Sequence, residues 1–198
     1  PHGGVVLISA SKLRSFWRVV PTGVLHVGAH RGEELDDYES NSFGPVIWIE
    51  AQPDLFQDLA QRVEAPSKVI HALVWNTSGT KKLLHLTNNG QSSSIFTLGS
   101  HQLSYPDIVV TGDLEITTSR LDDLLDARDT HNFLNLDIQG AEFEALESLG
   151  SKIDQFDFVY SEVNRAQVYE GIKVVGELDE LLEAKGFRRV ATVWTGEN

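Results

Sequence analysis

Val24-Leu-His-Val-Gly-Ala-His-Arg-Gly32 joins a strand-length apolar run to the start of a helical pattern, and most of the chain repeats that join. The first run is Gly23 to Gly28. Pro45-Val-Ile-Trp-Ile-Glu50, Lys68-Val-Ile-His-Ala-Leu-Val74, Asn132-Phe-Leu-Asn-Leu-Asp137, Phe156-Asp-Phe-Val-Tyr-Ser-Glu162 and Phe187-Arg-Arg-Val-Ala-Thr-Val-Trp194 are further β-rich runs. Helical patterns lie between them at Glu33 to Glu39, Pro53 to Val63, Ala141 to Leu149 and Val174 to Lys185. Pro53 suits a first helical turn, where its missing N–H is not needed, and Gly186 stands where a helix C-terminus favours glycine. This alternation predicts an α/β, Rossmann-like fold: βαβ units in a mainly parallel sheet, helices on both faces, strand order 3-2-1-4-5 with the sixth beyond.

Two regions stand outside the alternation. From Thr77 to Leu125, Lys82 to Thr87 and Leu114 to Thr118 read as strands flanking a polar, Gly- and Ser-rich loop, so residues 77–120 are expected as a β-rich insertion after the third strand. Residues 1–22 read as a helical segment, with Ser11 to Val20 a helix ended by Pro21 and Leu13, Phe16 and Trp17 its apolar face. Residues 1–198 form one domain on this reading, with no internal repeat or linker. The chain begins with Pro1 and contains no Met, so it reads as part of a longer product. Only four residues follow Trp194, so a seventh, antiparallel strand is expected either to be lost from this copy or to have its place beside the fifth strand filled by something else, leaving an unpaired edge.

Composition narrows the chemistry. Sixteen Lys and Arg against 29 Asp and Glu give a net charge of -13, which repels phosphate backbones and anionic lipid, so neither nucleic acid nor a membrane is expected as partner. The absence of Cys removes disulfides, thiolate zinc sites and cysteine nucleophiles. No apolar run approaches the roughly 20 residues of a membrane span, and Val5 to Ile8 is too short for a signal-peptide core, so a cytoplasmic protein is expected.

The join at 24–32 should direct backbone N–H groups and a helix N-terminus at a ligand with an anionic or hydroxyl-rich end. A dinucleotide fingerprint starting at Gly28 requires Gly at 30 and 33, where this chain has His30 and Glu33. A side chain at 30 blocks close approach and a carboxylate at 33 repels a diphosphate. S-adenosylmethionine carries no phosphate, and a looser G-x-x-x-G loop is adequate for it. Glu50 ends the second run 22 residues after Gly28, the place of an acid that accepts hydrogen bonds from two ribose hydroxyls. Taken alone it reads as an idle strand-end carboxylate; the Gly28 loop and the spacing together favour the ribose acid.

Four blocks together resemble the FkbM-type methyltransferases: Val24-Leu-His-Val-Gly-Ala-His-Arg-Gly-Glu33, Val46-Ile-Trp-Ile-Glu-Ala-Gln-Pro53, Thr117-Thr-Ser-Arg-Leu-Asp122 and Phe133-Leu-Asn-Leu-Asp-Ile-Gln-Gly-Ala-Glu142. The match runs from about Val24 to Trp194, and the last block is the most specific. The resemblance implies a class I methyltransferase fold, S-adenosylmethionine as donor and a hydroxyl on a small molecule or sugar as acceptor. The implied donor-binding set is Gly28, Ala29, His30, Arg31 and Gly32 in the loop, Glu50 and Ala51 after the second strand, Leu73 after the third and Asp137 after the fourth. His26 and His30 stand where the family often has Asp and Asn, Asn135 where it often has Lys, and Gln139 where it often has Glu. An amide cannot titrate, so no acid–base role carries over to Gln139.

Methyl transfer to an alcohol needs the oxygen in line with the S-methyl bond and a base for its proton, and the candidates are Asp137 first, then His30 and Glu162. Asp137 is equally readable as a cap for the helix near Ala141, and Glu142 as an ordinary first-turn acid. Glu162 and Asn164 are acceptor-side groups or solvated strand ends, and Ser92 to Ser94 a loop tip over the site or a turn. His26 and His30 lie on a strand and its loop, not a helix, so His26 is expected as a buried, hydrogen-bonded imidazole. His71, His85, His101 and His131 are scattered, and no metal site is expected. Three other readings stay open: a non-catalytic module that binds the donor, a nicotinamide-dependent oxidoreductase, and an interaction domain in which Trp17, Trp48, Trp75 and Trp194 only pack.

Overall fold

The protein is described by a computed structural model that covers residues 8–97, 107–166, 169 and 171–194. Helix α1 (Ala10–Phe16) precedes β1 (Val24–Val27), α2 (Leu35–Ser40), β2 (Val46–Glu50), α3 (Pro53–Ala60) and β3 (Lys68–His71). Then come β4 (Leu73–Val74), β5 (Lys81–Thr87), β6 (Val110–Ser119), α4 (Leu121–Leu124), β7 (Phe133–Leu136), α5 (Glu142–Ser148), a 3₁₀ turn at Gly150–Gln155, β8 (Phe158–Ser161) and α6 (Val175–Glu183). Five strands form a parallel sheet in the order β3-β2-β1-β7-β8, the Rossmann-like 3-2-1-4-5 arrangement expected from the sequence.

Side-chain alternation along these strands divides the core in two. Leu25, Val27, Ile47, Ile49, Leu134 and Leu136 point to one face, where Leu121, Ala145, Leu146, Leu149 and Leu178 of the surrounding helices cover them. Val24, Val46, Trp48 and Phe133 point to the other, against Tyr38, Phe43 and Leu59. Register places Trp48, His26, Asn135 and Tyr160 in one row across this second face.

Three expectations are corrected. Phe187 to Trp194 is not a strand: the segment has no ladder, Val190 and Val193 are 70% and 48% exposed, and Arg189 pairs with Asp179 at 3.0 Å. A strand there would bury no apolar face, so β propensity alone does not recruit it, and among the described residues the outer edge of β8 carries no partner strand. The helix read to Val20 ends at Phe16, because Arg18 turns into the left-handed region at φ 56° and Val19 N–H bonds back to Leu13 O at 3.1 Å. The third run divides. After His71 the chain leaves the main sheet, Ala72 N–H donates to Glu50 O at 3.0 Å, and Leu73 and Val74 pair with Thr118 and Ser119.

That second sheet, ordered β4-β6-β5, is the insertion seen in the sequence, an antiparallel β5–β6 ribbon joined in parallel to β4. Its tip folds back over the C-terminal ends of β1 and β2. No helix among the described residues is long and apolar enough to cross a membrane.

Candidate functional site

The cleft lies at the C-terminal ends of β1, β2 and β7, where open α/β sheets reverse strand order and bind ligands. Val27, Ile49, Ala72, Leu73 and Val74 make an apolar slot, and Leu84 and Ile95 of the insertion face it. Gly28, His30, Glu50, Ala51, Gln52, Gln91, Ser93, Asp137 and Gln139 supply the polar lining.

The loop after β1 does not offer a cradle of free N–H groups, contrary to the expectation. Gly28 and Ala29 N–H both donate to Ile49 O at 2.9 and 3.0 Å, and Gly32 N–H donates to Ala29 O at 2.7 Å. His30 N–H donates to Glu50 Oε2 at 2.7 Å and Arg31 N–H to Glu33 Oε2 at 3.1 Å. Every N–H from 28 to 32 is satisfied within the protein, so recognition falls to side chains. Gly28 is required for packing: at φ 89°, a Cβ there would lie 1.8 Å from Asp137 O. Gly32 packs on Leu59 in the same way, since a Cβ would meet Leu59 Cδ1 at 2.6 Å.

Glu50 is 5% exposed. Besides His30 N–H it accepts Gln52 N–H on Oε1 at 2.8 Å. Burial pushes its carboxyl above the ordinary range, while the hydrogen bonds from Gln52 and His30 oppose that shift. One backbone bond per oxygen leaves each with an acceptor site.

His30 sits at φ 45°, and its Nδ1 lies 2.5 Å from Glu33 Oε1. Burial raises Glu33, but the hydrogen bond and charge of His30 outweigh it and hold the carboxyl at about 2. Glu33 is therefore an ionised, acceptor-only partner, so the contact is made through a proton on His30 Nδ1. Gly90 lies against that edge; a Cβ there would stand 3.0 Å from His30 Nε2.

Asp137 does not cap the following helix. No side chain caps it; the Glu142 carboxylate instead turns back onto the preceding loop, accepting Ile138 N–H at 3.1 Å and Gly140 N–H at 3.0 Å. Glu142 is not a solvated first-turn acid either: it is 4% exposed, and burial, then the charge of Asp137, raises its carboxyl to about 7. Gln139, at φ 52°, donates through Nε2 to Asp137 Oδ1 at 3.0 Å and Glu162 Oε2 at 2.7 Å, and its Oε1 accepts Tyr169 O–H at 2.8 Å. Glu162, just after β8, is exposed, and its Oε2 accepts from Gln139 on the Asp137 side of the turn.

Of the sequence-derived site residues, the cleft gathers Gly28, His30, Glu50, Ala51, Leu73 and Asp137. Glu162 reaches it only through Gln139. Ala29 is buried behind the loop, and Arg31 turns outward, 62% exposed and 3.7 Å from Asp58. Ser93 lines the cleft, while Ser94 Oγ ties the insertion to Gln139 O at 2.7 Å. Gln52 Nε2 donates to Gly90 O at 3.1 Å. His26 is the buried imidazole expected, 2% exposed, 3.2 Å from Tyr38 Oη and held by burial at about 3. His101 lies outside the described residues, and among those described no group of His, Asp and Glu is arranged to hold a metal. Sequence reasoning did not reach Gln52, Gln91, Glu33 as partner of His30, or the bridging of Gln139. Only the i, i+3 spacing of His30 and Glu33 signalled any of these.

No curated protein matches the chain significantly. Among solved structures, the methyltransferase FkbM from Methylobacillus flagellatus KT aligns at 19% identity with a TM-score of 0.41, covering 67% of this chain and 30% of that one. The methyltransferase FkbM domain profile matches residues 26–189. That match takes in the loop after β1, Glu50 and the Asp137–Glu142 turn, and the chain belongs to the FkbM methyltransferase family.

Proposed function

We propose that the protein transfers a methyl group from S-adenosylmethionine to a hydroxyl of a small molecule or sugar, with the donor in the cleft and His30 as base. Glu50 carries the reading. A buried carboxylate at the end of β2, with an acceptor site left on each oxygen, suits two adjacent ribose hydroxyls. The apolar slot of Ile49, Ala72, Leu73 and Val74 beside it suits a purine ring. The net charge of -13 supports an acceptor that is neither nucleic acid nor anionic lipid.

Bound S-adenosylmethionine supplies an electrophilic methyl group on a sulfonium. The side chains must then orient the acceptor and take its proton. His30 has the equipment of a base, with Nδ1 held by ionised Glu33 and Nε2 free to accept the hydroxyl proton. Glu162 is held by the Gln139 amide and reaches the cleft only through it, which suits it less to that task. Asp137, fixed by the Gln139 amide, is placed to orient the acceptor hydroxyl. A diphosphate finds no free loop N–H, which counts against a nicotinamide cofactor.

Calorimetric titration with S-adenosylhomocysteine and with NAD tests this. Binding of the first and not the second is expected. Glu50→Ala should weaken the first by about 1.5 to 3 kcal/mol, roughly 10- to 150-fold, the range for hydrogen bonds to a charged group. A folded Glu50→Ala protein with unchanged affinity overturns the reading.

A further inference from the structure

A second cavity of about 260 Å³ lies on the aromatic face of the sheet, between the start of α1, helix α2 and the β7–β8 pair. Ile8, Leu13 and Phe133 contribute apolar wall, and Glu33, Glu34, Asn135 and Tyr160 contribute polar atoms. It is distinct from the cleft, for His30 lines one and its partner Glu33 the other. Among the described residues no Lys or Arg lines it.

Its acidic groups are not equivalent. Asp37 is engaged by the protein, accepting Ala10 N–H at 2.7 Å and the Asn41 amide at 2.9 Å. Glu33 is engaged by His30. Glu34 has no hydrogen-bonding side-chain partner among the described residues; its nearest basic neighbour, His26 Nε2, is 4.0 Å away and neutral.

An independent observation points the same way. Asn135 is 5% exposed, and its Nδ2 donates to Tyr38 Oη at 2.8 Å. Its carbonyl oxygen accepts nothing from the described residues, and it is not among the polar atoms sealed inside the protein, so it opens onto the cavity that Asn135 lines. A buried acceptor left without a donor is costly, and a ligand N–H relieves that cost. The cavity therefore presents an unused carbonyl oxygen and a carboxylate that no other side chain engages, beside aromatic rings and, among the described residues, with no Lys or Arg.

We propose that this cavity binds the primary ammonium group of an organic amine, with Glu34 as counter-ion, Asn135 Oδ1 as a hydrogen-bond acceptor and the Phe133 and Tyr160 side chains around the alkyl part. The site stands whether or not the methyl-transfer reading does, since none of its recognition atoms belongs to the cleft. A primary ammonium supplies three N–H donors and a full charge. An alcohol of the same size lacks the charge, and a quaternary ammonium lacks the donors.

Burial, then the charges of Asp137 and Glu33, raises Glu34 to about 7. Facing it are His26 from β1, His30 and Glu33 from the loop, Asp37 and Tyr38 from α2, Asp137 after β7 and Tyr160 of β8. His26 at about 3 and Glu33 at about 2 do not change charge between pH 6 and 8. A bound cation favours ionised Glu34, so binding should tighten as pH rises through 7.

The test is titration of the whole protein, by calorimetry and by protein-observed NMR, with butylammonium, butan-1-ol and tetramethylammonium. Butylammonium is expected to bind at pH 8 at least tenfold more tightly than either comparison ligand. Glu34→Gln should weaken it at least tenfold and remove the pH dependence, with a melting transition showing that the variant is folded. Asn135→Ala should weaken it less. S-adenosylhomocysteine affinity, measured alongside, should be unaffected by Glu34→Gln. Absence of butylammonium binding, equal binding of butan-1-ol, or undiminished binding to folded Glu34→Gln each overturns the proposal.

Discussion

On one face of the central sheet, Leu25, Val27, Ile47, Ile49, Leu134 and Leu136 meet the aliphatic side chains of α5 and α6. On the other, alternate residues of the same strands set Trp48, His26, Asn135 and Tyr160 in a row beneath Tyr38 and Phe43. The first face is held by non-directional burial, worth about 1.5 to 3 kcal/mol for each fully buried Leu or Ile. The second is held by oriented contacts: His26 and Trp48 rings at 4.8 Å, Tyr38 and Trp48 stacked at 5.6 Å, and the Asn135–Tyr38 hydrogen bond at 2.8 Å. The ammonium site lies on the second face, whereas the cleft at the strand ends also takes Val27 and Ile49 from the first. Period-two alternation thus sets an aliphatic face that mainly holds the fold against one that carries polar side chains.

The sharpest way to break this division is at the end of β1. His30→Asn keeps a residue that tolerates the left-handed backbone while removing the base, and should lower kcat by about 10²- to 10⁴-fold with little change in S-adenosylhomocysteine affinity. Single-turnover methylation of an acceptor found by screening hydroxylated compounds measures it. Asp137→Asn, which still accepts from Gln139, should lose less. The reverse order would move the proton to Asp137.

Adjacent residues of β7 test the faces directly. Leu134→Ala should cost about 2 to 5 kcal/mol, a fall in Tm of roughly 4 to 20 °C for a domain of this size. Asn135→Ala should cost about 1 kcal/mol, the worth of an ordinary hydrogen bond. Equal losses in denaturant unfolding would mean that the polar row bears as much of the fold as the aliphatic face.

The third test is the pH dependence of stability. Glu34 is raised to about 7 by burial and then by Asp137 and Glu33, so its contribution is complete below about 4.5 and is lost as pH climbs through 7. His26, held by burial at about 3, acts oppositely: its contribution is complete above 6.5 and is lost as pH falls toward 3. The two partly cancel in the parent protein. Glu34→Gln removes one of them, so its stability relative to the parent should rise between pH 5 and 8 by on the order of 2 kcal/mol, about 4 to 8 °C in Tm. A flat difference curve would place Glu34 in solvent rather than in a cavity.

Much of the fold was legible in the sequence because buried parallel strands have continuous apolar signatures, and the runs ending at Val27, Glu50, His71, Leu136 and Ser161 carry them. Phe187 to Trp194 carries a similar signature without a face to bury, which residue types cannot reveal. The position of Glu50 was legible from its distance along the chain. The occupation of the 28–32 N–H groups was not, because their acceptors, Ile49 O and the Glu50 carboxylate, come from another strand. Glu142 looked like a helix-start acid, and only the backward turn at Gly140, φ 107°, brings the loop N–H groups onto it. The meeting of Glu34 and Asn135 in one cavity was hidden for the same reason, since they stand 101 positions apart.

The break at Ala72 gives the cleft two owners. Ile49 belongs to the five-stranded sheet and Leu73 and Val74 to the three-stranded one, so the width of the slot is an angle between two bodies rather than a property of either. The two sheets share one core, in which Val74 and Leu121 lie with Ile49 and Leu134, so packing on both sides sets that angle. The Ala72 N–H bond to Glu50 O ties the junction to the carboxylate proposed to hold the ribose.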